Sequence, residues 1–233
     1  NAPGGPKLKD VVNQPADVSF LIDRVIGWSQ NEGHVLSAHL DKNRIGVTGI
    51  SLGGLTTTLV SYHPTKRDRR IKAAASIAGP SASLSEIFYQ NADIPFLMLA
   101  ADIDALVPYD VHALPVLDRI PRSTLVTITG GTHLGFAGNT GLLRWLGNAD
   151  TIGCAGVLKK IDTDEEPWHE LVGTPEQGIL YNDVPLPCQN MPLPQGMNPL
   201  RQHMSTVLVI YSFFESYFNQ DQETRNYFDR FLH

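Results

Sequence analysis

Apolar residues recur along this chain with two periods. Over residues 18–28, Val18, Leu21, Ile22, Val25 and Trp28 fall on one face of a helix, and Pro15 and Asp17 supply its start. Residues 44–48 read as a short buried strand. Residues 52–62 read as a helix that stops before Pro64, because the residue preceding a proline is pushed out of the helical region. A strand of small residues over 72–78 ends at Gly79-Pro80, and a third apolar strand covers 95–101. A helix over 111–120 is expected despite Pro115, and a fourth strand over 125–129 is closed by Gly130-Gly131. Strands separated by helices imply a parallel sheet covered on both faces, hence one doubly wound α/β domain. No internal repeat suggests an array.

Between about residues 150 and 198 the pattern changes. Pro167, Pro175, Pro185, Pro187, Pro192 and Pro194 punctuate the segment and no periodicity survives. Long irregular segments inside compact domains are usually functional or disordered, so this one is expected to be an excursion near an active-site mouth. Two helical patterns, over 199–218 and 222–232, close the chain.

Composition narrows the function classes. With 233 residues, 42% hydrophobic and 18% charged, the chain can build one sizeable globular core. Its formal charge is -6, with no stripe of Lys or Arg, which argues against a nucleic-acid partner. The densest basic stretch, residues 66–70, fits a solvated loop, as does the acidic run at 162–166, which lacks the spacing of a calcium loop. No apolar run approaches the roughly 20 residues that span a bilayer. The two cysteines, Cys154 and Cys188, are too few for a zinc site. A disulfide between them would imply an oxidising compartment, hence a secreted or periplasmic protein; two separate buried thiols are the alternative. No cofactor or metal is expected.

The chemistry-bearing pattern is Gly49-Ile50-Ser51-Leu52-Gly53-Gly54. Gly-x-Ser-x-Gly alone is weak, but here it follows a predicted strand and opens a predicted helix, as a nucleophile elbow requires. The turn would hold Ser51 in a strained conformation at the carboxyl edge of the sheet, with the backbone N–H of Leu52 as one oxyanion donor. A serine hydroxyl needs a base, and the base a carboxylate to orient it. Both are expected downstream, acid first. Past the third strand, Asp104 and Asp102 compete as the acid; Asp104 is preferred, while Asp102 lies closer to the strand, where it would brace the loop. Past the fourth strand, His133 follows the flexible Gly130-Gly131-Thr132 and is the preferred base, with His169 and His203 in reserve. Leu134, Phe136, Trp145 and Trp168 are candidates for an acyl pocket.

These residues carry a family resemblance. Residues 15–23, 44–54, 95–108 and 130–136 resemble the serine-esterase branch of the α/β-hydrolases, close to dienelactone-hydrolase-like proteins and platelet-activating-factor acetylhydrolase-like lipases. The resemblance implies Ser51 as nucleophile, Asp104 as orienter, His133 as base, and small-molecule or lipid carboxylic esters as substrates. A phospholipase A2-like lipase and a non-catalytic hydrolase-like binding protein are the alternatives, with a polyester hydrolase or amidase ranked below the lipase. In one respect the chain departs from that fold. Several strands normally precede the elbow strand, and a loop among them supplies the second oxyanion donor, whereas here only a coil and one helix precede it. Residues 1–233 are therefore expected to be the C-terminal part of a single α/β-hydrolase domain. An N-terminal segment or a second chain would complete the sheet and the oxyanion hole.

Overall fold

The computed structural model describes residues 8–138, 140–157 and 168–219, with positions 223, 226 and 230. Four strands form one sheet: β1 (Ile45–Ile50), β2 (Ile71–Ile77), β3 (Phe96–Ala101) and β4 (Ser123–Ile128). They lie in the order β1-β2-β3-β4 and every pairing is parallel. The helices are α1 (Gln14–Ser29), α2 (Leu52–Tyr62), α3 (Glu86–Tyr89), α4 (Tyr109–His112), α5 (Val116–Arg119), α6 (Thr140–Leu143), α7 (Asp150–Val157), α8 (Trp168–Val172) and α9 (Pro199–Phe218). Short 3-10 turns cover Leu8–Val12, Leu134–Phe136 and Pro175–Gln177.

Strand alternation divides the interior into two cores. Ala74, Phe96, Met98 and Ala100 face one side, where Leu55, Leu59 and Tyr62 of α2 meet Phe88, Tyr89 and Val116. Ala73, Ala75, Ile77, Leu97, Leu99 and Ala101 face the other, against Val209 and Phe213 of α9 and Phe136. The sheet is thus covered on both faces, as the strand–helix alternation predicts. The central strand β3 is buried along its whole length, which is why its sequence is an unbroken apolar run rather than an alternation. Helix α2 is buried from Gly54 to Tyr62, and two of its hydroxyls are satisfied within the helix, Thr56 donating to the Leu52 carbonyl and Thr58 to that of Gly54, each at 3.0 Å.

Several expectations need correction. The strand at 44–48 is not buried: β1 is the sheet edge among the described residues, and its positions alternate between half-buried and exposed. The stripe on α1 is only partly covered; Val18, Ile22 and Val25 are half-buried while Leu21 and Trp28 are exposed. The helix expected over 111–120 is two short helices, because Pro115 has no N–H to continue the first. The Pro-rich segment is not wholly irregular, since it holds α7 and α8. The acidic run at 162–166 lies outside the described residues, as does most of the helix expected over 222–232.

Cys154 on α7 and Cys188 form a disulfide, with Cα atoms 5.6 Å apart across a separation of 34 residues. The Cys188 N–H also donates to the Ala105 carbonyl at 2.6 Å, so the segment before α9 is tied to α7 by the bridge and to the loop after β3 by this hydrogen bond. Closing a loop of this size restricts the unfolded chain and is worth about 3–4 kcal/mol. Reduction, or replacement of both cysteines by serine, is therefore expected to lower unfolding stability by about that amount, read as a shift in the urea midpoint.

Candidate active site

At the carboxyl end of β1 the chain turns sharply into α2. Ser51 sits at the turn with φ 57° and ψ -122°, a left-handed value for a residue with a side chain. Holding it there costs about 1–3 kcal/mol, which the surrounding bonds must offset. Its N–H continues the sheet ladder to the Ile77 carbonyl at 2.8 Å, and its carbonyl accepts the Leu55 N–H of α2 at 3.1 Å. The turn is possible because two pairs of backbones meet without side chains. A Cβ on Gly49 would lie 3.0 Å from the Gly53 Cα, and one on Gly54 would lie 2.8 Å from the Gly79 Cα of the loop after β2. Helix α2 begins immediately after Ser51, so its first N–H groups, Leu52's among them, lack partners within the helix and its positive end lies at the hydroxyl.

Asp104 follows β3 and is buried. Its two oxygens have different tasks. Oδ1 accepts the N–H groups of Leu106 at 2.9 Å and Val107 at 2.7 Å, fixing the carboxylate in its own loop. Oδ2 accepts from Nδ1 of His133 at 2.7 Å. An ionised carboxylate only accepts, so Nδ1 carries the proton and the lone pair of the neutral ring is on Nε2. Asp102 takes the bracing position instead: it is exposed and accepts the Gly130 N–H at 2.7 Å, tying the loop after β3 to the loop after β4.

His133 lies in the turn between β4 and Leu134–Phe136 and is buried. Gly130 starts the turn with φ 71°. Gln202 of α9 then grips Thr132 from both sides, accepting its N–H at 3.0 Å and donating to its carbonyl at 2.7 Å. Burial acts against protonation of the imidazole and is the largest single influence on it. The charge and hydrogen bond of Asp104, with the charge of Asp150 behind them, outweigh it and raise the pKa above its ordinary value.

The structure therefore joins Asp104 to His133 and places Ser51 on the same carboxyl edge of the sheet, at the end of β1, two strands from β3 and three from β4. No hydrogen bond joins the Ser51 hydroxyl to the imidazole among the described residues. Of the reserve histidines, His203 is on α9 with its Nδ1 buried and without a hydrogen-bond partner among the described residues, and the side chain of His169 lies outside them. His112 is structural: its Nδ1 accepts the N–H groups of Ser81 and Ala82, and burial lowers its pKa to about 4. Phe136 is a core residue, whereas Trp145 is exposed and stacks under Arg144. Leu134 is half-buried, and the Trp168 side chain is outside the described residues. Among the described residues no cluster of His, Cys, Asp or Glu could hold a metal ion.

A cleft of about 1010 Å³ lies at the opposite end of the strands, away from these residues. Two ion pairs line it, Arg44 with Asp41 at 2.7 Å and Arg122 with Asp93 at 3.9 Å, beside Arg67, Arg69 and Lys72. The residue that sequence reasoning missed is Asp150, which bonds the backbone of His133. Its sequence signal, an aspartate opening a helix after Asn148, says nothing of that contact.

A parallel sheet with helices on both faces and a strand–turn–helix elbow is the arrangement found in α/β-hydrolases. The chain matches the family described as PET hydrolase-like over residues 13–164, and it belongs to that family. Membership makes it an α/β-hydrolase esterase, as the motifs imply. A comparison with curated proteins gives no match.

Proposed function

We propose that the protein hydrolyses carboxylic esters through a Ser51–His133–Asp104 triad and an acyl-enzyme. The observation that carries this is the buried 2.7 Å bond from His133 Nδ1 to Asp104, which leaves Nε2 as a base at the sheet edge where the strained elbow presents Ser51. Ser51 Oγ attacks the ester carbonyl as its proton passes to Nε2. The oxyanion that forms is held by the Leu52 N–H at the positive end of α2. Collapse breaks the ester C–O bond, and the imidazolium gives its proton to the leaving alcohol. Water then attacks the acyl-enzyme by the same route and frees the acid and Ser51. No cofactor or metal is required by these steps.

Family membership brings the polyester PET forward as a substrate class, beside simple carboxylic esters and ahead of a phospholipase or platelet-activating-factor acetylhydrolase-like reading. The half of the oxyanion hole not supplied by Leu52 would come from polypeptide that pairs with the free edge of β1, as an N-terminal segment or second chain completing a single domain. Two features support an added strand there. The outer backbone groups of β1 are unpaired among the described residues, and an apolar cleft of about 450 Å³ between β2 and α9, lined by Ile77, Ile210, Tyr211 and Phe214, includes a ring, Phe214, that also lies against Gly46 of β1. Slow exchange, in the native protein, of the β1 amides that do not bond to β2 supports that strand; rapid exchange of those amides overturns it. Secretion is proposed on the disulfide, which is compatible with an extracellular location.

The pH profile tests the base. His133 must be neutral to accept the Ser51 proton, and its pKa is raised. Activity should therefore be lost as pH falls, with the acid limb of kcat/KM centred above the ordinary histidine value of about 6.5. The assay is hydrolysis of p-nitrophenyl esters of increasing acyl length, run beside PET film and a phospholipid. A limb in the carboxylate range would exclude His133 as base.

A further inference from the structure

Asp150 takes no part in the steps above, yet it is fully buried and unusually constrained. Its Oδ2 accepts two N–H groups, from Ala105 at 3.0 Å and from His133 at 2.9 Å. Its Oδ1 accepts the Leu134 N–H at 2.8 Å. Ala105 adjoins Asp104 in sequence, and His133 is the base itself. One carboxylate thus holds the backbones of both the acid loop and the base loop. It is held in turn by Asn148, whose Oδ1 accepts the Asp150 N–H at 2.8 Å and whose Nδ2 donates to the Pro194 carbonyl at 2.9 Å.

The bonding is not that of a helix cap. Asp150 opens α7, but these three acceptor bonds reach other elements, 45, 17 and 16 residues away in sequence. A buried charge is costly: burial, with the charge of Asp104, raises the Asp150 pKa above the ordinary carboxylate value, and the three backbone donors oppose that rise without cancelling it. A neutral amide could not take its place. It has one acceptor oxygen, and its NH2 would face at least one backbone donor.

We infer that Asp150 is a positioning residue for the proposed triad: it fixes the spacing of Asp104 and His133 and sets a second negative charge behind the imidazole. The inference rests on the triad reading. The geometric part matters because a displacement of about 1 Å in a catalytic group can cost about 100-fold in rate. The electrostatic part matters because an imidazolium forms when Ser51 gives up its proton, and the charged groups acting on His133 are Asp104 and Asp150.

The test is Asp150→Asn in the full chain, with kcat, KM and the acid limb measured on p-nitrophenyl acetate beside Ser51→Ala. The expected result is a fall in kcat of about 10- to 100-fold with KM little changed. The acid limb should also move to lower pH, because one of the two charges favouring the imidazolium is gone. Unchanged kcat with an unchanged limb overturns the inference. So does a fall in kcat that only follows loss of folded protein, with the limb in place. If Asp150→Asn does not fold, Asn148→Ala carries the test, since it loosens the clamp and keeps the charge: kcat should fall several-fold with the limb unmoved, and an unaltered kcat overturns the positioning role. Turnover surviving in Ser51→Ala would instead refute the triad reading.

Discussion

Ser51→Ala is expected to lower kcat/KM on p-nitrophenyl esters by roughly four to six orders of magnitude, the range found when a serine nucleophile is removed from an intact site. Folding should be little affected. The mutation removes one half-buried hydroxyl that makes no hydrogen bond among the described residues, and alanine tolerates the φ of 57° about as poorly as serine does. Covalent labelling by a fluorophosphonate should disappear in the same variant. The two readouts separate two roles. If Ser51 only shaped the turn, labelling would persist elsewhere and the rate would change by a small factor. Persistent labelling would therefore move the nucleophile to another residue.

Much of this was legible from local pattern, and what was not has a common cause. The limits of α2, at Leu52 and Tyr62, follow from the elbow on one side and His63-Pro64 on the other, both local facts. The span of α9 follows from Asn198-Pro199, where the Asn198 side chain accepts the Leu200 N–H at 3.0 Å. The exposure of β1 was not legible, because Ile45, Val47 and Ile50 state a preference for burial without saying what lies alongside. The stripe on α1 misleads in the same way. Pro115 carries a clear local signal, and weighting periodicity above its missing N–H gave one helix in place of two.

The site divides along the same line. Ser51 is marked by its neighbours, since the glycines around it are needed for strand and helix to meet. His133 is marked by a glycine turn after a strand. Asp150 could not be found this way, since its partners are remote in sequence and are backbone groups that any residue would offer. Asp102 and Asp104 are the intermediate case. Both follow β3 by a residue or a few, both are aspartates, and the sequence ranks them only by distance from the strand. The structure separates them by partner: Gly130 N–H for Asp102, the His133 imidazole for Asp104.

That separation gives a prediction with a built-in control. Asp104→Asn is nearly isosteric, and its orientation is dictated by the loop. The N–H groups of Leu106 and Val107, which now donate to Oδ1, require an acceptor, so the amide oxygen must occupy that position. The NH2 is then turned toward His133 and donates to Nδ1. The ring must shift its proton to Nε2, which removes the lone pair that accepts the Ser51 proton. The expected cost is about 10,000-fold in kcat, with KM and folding nearly unchanged, as for other triads in which the orienting aspartate becomes asparagine. Asp102→Asn disturbs a single exposed bond to the Gly130 N–H, which an amide oxygen can also accept. It should alter kcat by less than about 10-fold. If the two variants were equally impaired, the acid of the site would be shared or lie elsewhere. If Asp102→Asn were the more damaged, the roles of the two aspartates would be the reverse of those their hydrogen bonds assign.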